Sequence, residues 1–97
     1  MNKFECDKGK ARMNRNKHGV KFTDAGRALN SGNSLTGRSP QSDTLGEERN
    51  LSIANLANGR AVVVVWTSRN ENVRIISVRY ARKNEKEALN AYLKRLQ

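Results

Sequence analysis

The sequence predicts an α+β domain: a small antiparallel β-sheet with two helices before it and one after. Three features point there. Asn58-Gly59 separates two apolar runs, the mark of a tight β-hairpin. Val62-Val63-Val64-Val65-Trp66 is an unbroken apolar run, which suits a central strand covered on both faces. Ala88, Leu89, Tyr92, Leu93 and Leu96 recur at helical spacing within residues 83–96. A chain of 97 residues has room for a single domain, 1–97, with a modest core.

Residues 2–5 are compatible with a short strand. Asp7 is a candidate N-cap for a helix over 8–17 that ends at His18-Gly19. Thr23 reads as the cap of a second short helix running to Leu29. Residues 30–46, rich in Ser, Gly and Asn and holding the only proline, Pro40, read as a loop with a short strand near Leu35. Glu48 to Leu56, Ala61 to Arg69 and Val73 to Tyr80 follow as three strands, with Asn70-Glu71-Asn72 as the second turn.

The charge is one-sided: 19 Lys and Arg against 9 Asp and Glu, a net +10. Such an excess attracts polyanions, with nucleic acid ahead of an acidic protein or an anionic membrane surface. The lone cysteine, Cys6, cannot form an internal disulfide, and with one histidine, His18, it makes no zinc site. No apolar run is long enough to span a bilayer and the first residues lack a leader pattern, so a cytoplasmic protein is expected. There is no P-loop and no Gly-rich dinucleotide turn, and no cofactor is expected.

A two-residue turn at Asn58-Gly59 sets Ala57 opposite Arg60, Ile53 opposite Val64 and Leu51 opposite Trp66. A three-residue turn at 70–72 sets Trp66 opposite Ile76 and Val63 opposite Arg79. Because side chains alternate, one face then carries Leu51, Ile53, Val64, Trp66, Ile76 and Val78. The other carries Glu48, Asn50, Ser52, Thr67, Arg69, Ser77 and Arg79, a polar and partly basic face where an RNA phosphate would sit. A two-residue second turn brings Arg74 to that face in place of Arg79. The plainer reading of the same residues is a solvated sheet face.

RNA can be cut without metal: a base removes the 2′-hydroxyl proton, an acid protonates the leaving oxygen, and cations stabilise the phosphorane. Glu48 and His18 are the candidate proton movers, and Arg69, Arg74, Arg79 and Arg82 the cations. Magnesium chemistry needs clustered carboxylates, whereas the adjacent Glu47 and Glu48 point to opposite faces of a strand. Each candidate has a structural role beside the functional one. His18 can cap or pack at the helix end, Glu48 can pair with Arg69, and Arg74 or Arg79 can hold Glu47 or the last helix. The basic first helix can be a solvated face, track RNA or meet an acidic partner segment.

Several segments together resemble the BrnT family of toxins. They are Asp7…Lys10…Asn14…Lys17-His18-Gly19-Val20…Phe22 with Ala25; Gly46-Glu47-Glu48-Arg49; Val62-Val63-Val64 followed by Val73 to Ala81; and Lys83…Glu85. The chain departs from the family in having Cys6 where a tryptophan is usual and Ser68 where a glutamate is frequent. The resemblance implies a RelE-like α+β fold and a metal-independent endoribonuclease that cleaves cellular RNA and arrests growth. It implies a cognate BrnA-like DNA-binding antitoxin that neutralises the toxin, as a dimer or a heterotetramer with it. Glu48, His18, Arg69, Arg74 and Arg79 are then the candidate catalytic residues. Lys10, Arg12, Lys17, Arg82 and Lys83 are the candidate RNA contacts. The competing functions are a non-catalytic nucleic-acid-binding module and a relative that only binds its antitoxin. Product formation separates the first from the toxin, and partner binding without cleavage marks the second.

Overall fold

The apolar run in the middle of the chain is the spine of the fold. The computed structural model describes residues 4–5, 8–31, 33–38, 49–69 and 72–96. In chain order the elements are β1 (Phe4–Glu5), α1 (Lys8–His18), α2 (Phe22–Asn30), β2 (Ser34–Arg38), β3 (Asn50–Asn55), β4 (Ala61–Arg69), β5 (Asn72–Tyr80) and α3 (Lys83–Arg95). The sheet runs β1-β5-β4-β3-β2; β1 is parallel to β5 and the other neighbours are antiparallel. This is the expected α+β arrangement, with the strands anticipated near residues 2–5 and Leu35 forming the two edges. No helix among the described residues is long and apolar enough to cross a membrane.

As expected of a strand apolar on both sides, β4 is buried from both. Val62 and Val64 join Val73, Ile75 and Val78 of β5 under Val20, Phe22 and Ala25. On the opposite face Val63 and Ala61 join Ile53 under Leu89 of α3. The sheet is therefore sandwiched, with α1 and α2 on one side and α3 on the other.

The register differs from expectation in both hairpins. The first loop has three residues, 57–59: Leu56 donates to the Arg60 carbonyl at 2.7 Å, and Gly59 donates back to the Leu56 carbonyl at 2.9 Å. Gly59 takes a left-handed φ of 87°, and the Asn58 side chain accepts from the Arg60 amide at 3.0 Å. A tight turn followed by a left-handed glycine is the usual three-residue hairpin. The extra residue slips β3 by one, so Ile53 faces Val63 and Ser52 faces Val64. A slip of one exchanges the faces of the whole strand. Leu51 and Ile53 therefore pack beneath α3. Asn50 and Ser52 leave the expected polar face for the side of α1 and α2.

The second hairpin is shorter than expected and then compensates. Arg69 pairs with Asn72, and Trp66 with Ile75 rather than Ile76. Between Val65 and Trp66 the ladder shifts, leaving Ile76 as an extra residue, and beyond it Val63 meets Arg79 as expected. The bulge lets Val73, Ile75 and Val78 share one core. It also removes the choice between Arg74 and Arg79: opposite Thr67 and Val63 respectively, both stand on the α3 face.

Helix α2 begins two residues earlier than a Thr23 cap would place it. Lys21 is the N-cap, in extended conformation, and no side chain caps the helix. Phe22 is 5% exposed. Burying a phenylalanine is worth about 1.5–3 kcal/mol, against about 1 kcal/mol for a side-chain cap. The end of α1 agrees with expectation: Gly19, at φ 75°, donates to the Arg15 carbonyl at 2.8 Å and stops the helix. The Asp7 cap lies outside the described residues.

Candidate nucleic-acid interface

Among the described residues β1 pairs with Val73 and Arg74 alone, and further along the outer edge of β5 the partner is a side chain. Asn14 of α1 supplies it. Its Nδ2 donates to the Val78 carbonyl at 2.7 Å, and its Oδ1 accepts from the Val78 amide at 3.1 Å. The carboxamide thus imitates a neighbouring strand. The same side chain lies 3.4 Å from the Ser77 hydroxyl, which donates to it. This fastens the second half of α1 against the β5 bulge.

One turn further on, His18 is the last residue of α1 and half-buried. It lines a groove with Met13, Asn16 and Lys17 from the helix and Ile76 and Ser77 from the strand. Asn14 and His18, four apart, share a helix face. A second groove on the other side of α1 holds Arg12, Arg15, Lys21 and Thr23, with Asn16 lining both. Three expected residues therefore stand on one helix, His18 and Lys17 in the first groove and Arg12 in the second. Lys10 belongs to the same helix, but its side chain is outside the described part, as is that of Arg69. Glu48 is outside it altogether.

The α3 side holds the others. Arg74 is half-buried opposite Thr67. Arg79 is clasped by Glu85: Nη1 and Nη2 donate to the two carboxylate oxygens at 2.8 and 2.7 Å, and Nη1 also donates to the Tyr80 carbonyl at 3.2 Å. Glu85 accepts from the Arg82 amide as well, at 2.8 Å, closing the first turn of α3. These bonds, foremost the one from Arg79, hold the Glu85 carboxyl down at about 2. They raise Arg79 in turn. Arg82 and Lys83 are exposed at the start of this helix. The two described cations expected on the sheet face, Arg74 and Arg79, thus both lie on the α3 side, apart from His18, Lys17 and Arg12 on α1.

Asn14 and Glu85 are the residues that sequence reasoning missed as organisers of this region. Asn14 carried a signal: it is a polar residue in register with His18, on a helix with little apolar surface to bury.

A sequence profile described as ribonuclease toxin, BrnT, of type II toxin-antitoxin system matches residues 6–85. The crystal structure of the Brucella abortus ribonuclease toxin BrnT superposes with a TM-score of 0.67 at 20% identity, over 86% of this chain and 100% of that one. That likeness establishes a shared fold. No curated protein matches in sequence. Since the profile spans most of the chain, from Cys6 to Glu85, the chain belongs to the BrnT family of ribonuclease toxins of type II toxin–antitoxin systems.

Proposed function

We propose that this toxin is a metal-independent endoribonuclease that cuts cellular RNA and arrests growth, working from the α1–β5 groove. A BrnA-like DNA-binding antitoxin neutralises it. The observation that carries the placement is that half-buried His18 and exposed Lys17 line one groove, on a helix fixed to β5 through Asn14. An imidazole and an ammonium along one groove are a kit for moving the 2′-hydroxyl proton and offsetting charge on the phosphorane. Arg12 extends the cationic surface along the helix. Arg74, on the α3 face of β5, and Arg69, the last residue of β4, are further cations for the same RNA. Glu48 is the second proton mover of this reading, and Arg82 and Lys83 are outlying contacts for a longer RNA. Arg79, engaged by Glu85, serves by holding α3 in place.

The test is incubation of the purified protein with mixed RNA in EDTA, beside folded His18→Ala, Lys17→Ala and Glu48→Ala variants. Removing a proton mover is expected to slow cleavage by about 10²–10⁴-fold. Cleavage that requires magnesium would sink the metal-free route. Full activity in His18→Ala and Lys17→Ala would remove the chemistry from this groove.

A further inference from the structure

We infer that α1 is a ridge over which single-stranded RNA is threaded, with a flanking backbone phosphate in the groove on one side and, beside the scissile phosphate at His18 and Lys17, one unstacked base in the groove on the other. The inference rests on the ribonuclease reading and adds a base-reading subsite to it. Three observations carry it.

The first is the chemistry of the cationic groove. Arg12, Arg15 and Lys21 are all exposed along it, and no acidic residue lines it among the described residues. Arg12 and Arg15, three apart, stand on adjacent turns of one helix face. Guanidinium forks at that spacing match successive phosphate oxygens.

The second is the contrast across the ridge. The other groove, which holds His18 and Lys17, also carries two apolar side chains, Met13 and Ile76, where the first has none. Met13 is 72% exposed, one of two large hydrophobic side chains so exposed among the described residues. A polarisable thioether favours contact with a flat aromatic ring. Ile76 is brought there by the bulge, the one residue of β5 left without a partner on β4.

The third is continuity. Asn16 lines both grooves, so a chain leaving the cationic side arrives directly at the apolar one. Its exposed carboxamide offers both a donor and an acceptor to a base edge. An acidic peptide would also suit the cations. It has no flat ring to present at each step, however, and the two-sided arrangement favours a strand that alternates phosphate with base.

The experiment measures binding of 2′-O-methyl homo-oligonucleotides of A, C, G and U by fluorescence anisotropy over a salt series. These strands lack the nucleophile and cannot be cut. The parent is expected to separate the four severalfold. Met13→Ala and Asn16→Ala are each expected to reduce that separation by roughly two- to tenfold, the range of a sulfur–ring contact, with an unchanged salt slope. Arg15→Ala with Lys21→Ala is expected to weaken all four alike and lower the slope by about 0.7 per cation removed. Thermal melts confirm that each variant is folded. Equal binding of all four strands by the parent, or an unaltered preference in Met13→Ala and Asn16→Ala, overturns the base subsite. Polyglutamate competing as well as RNA at equal charge overturns it in favour of an acidic protein. Cleavage with equal binding sinks the subsite alone, whereas selective binding without cleavage sinks the enzyme reading alone.

Discussion

Arg79 and Glu85 meet as two parallel hydrogen bonds, Nη1 to Oε1 at 2.8 Å and Nη2 to Oε2 at 2.7 Å, joining the last turn of the sheet to the first turn of α3. The pair is partly shielded, with side chains 30% and 17% exposed. Lysine keeps the charge of arginine but not the planar fork. Arg79→Lys is therefore expected to destabilise the fold by about 1–2 kcal/mol, a charge-assisted bond discounted for partial exposure. Urea unfolding of Arg79→Lys, Glu85→Gln and the double variant checks this. Additive effects of the two substitutions would show that the pair is not a clasp.

The same clasp makes stability depend on acidity. Glu85 is held at about 2 by the Arg79 bond and then by the Arg82 amide, below its ordinary value of 4.5. The folded state thus loses its proton more readily than the unfolded chain. The stabilisation is fully present above the ordinary carboxylate range and is lost as pH falls from there towards 2. Melting temperature measured between pH 6 and pH 2 is expected to fall more steeply for the parent than for Glu85→Gln. Parallel curves would place the acid sensitivity elsewhere.

Asn14, 8% exposed, satisfies both backbone groups of Val78 at the outer edge of β5. Asn14→Ala leaves an amide and a carbonyl facing protein, at a cost of about 1–3 kcal/mol. Asn14→Asp keeps the shape but, when ionised, cannot donate to the Val78 carbonyl, and is expected to lie between the parent and the alanine variant. Hydrogen exchange at the Val78 amide gives the local readout. It should accelerate in Asn14→Ala, and unchanged exchange would mean that water or another group replaces the side chain.

These three residues also mark where sequence reading reached its limit. The hairpin at Asn58-Gly59 and the doubly covered strand were legible because turn chemistry and an unbroken apolar run are local signals. The register was not. Val62 to Trp66 is apolar at every position, so either parity of β3 against it buries apolar side chains. A two- or a three-residue loop then fits equally well. The bulge did leave a trace: the apolar phase of the strand moves from Val73 and Ile75 to Val78 and Tyr80. The candidate site was legible in part, through a histidine ending a basic helix. The bond from Asn14 to Val78 spans 64 residues, and no local pattern announces a contact of that range.

The phase change at Ile76 leads to the last prediction. Deleting Ile76 places Val73, Ile75, Val78 and Tyr80 on every second position, so each keeps its present partner on β4 with no irregularity in the ladder. The deletion is therefore expected to fold, with a melting temperature within about 8 °C of the parent, equivalent to about 1 kcal/mol in a domain of this size. Deleting Val64, fully buried on the partner strand, reverses every later side chain of β4 and should abolish folding. If the bulge serves the groove rather than the core, the Ile76 deletion stays folded while losing RNA cleavage and base preference. Such extra residues are common next to active sites, where they re-aim a side chain at a local cost. A deletion variant that melts as cooperatively as the parent and cuts RNA at the parental rate would show that Ile76 has no part in the groove. One that fails to fold would show that the bulge is needed by the sheet itself.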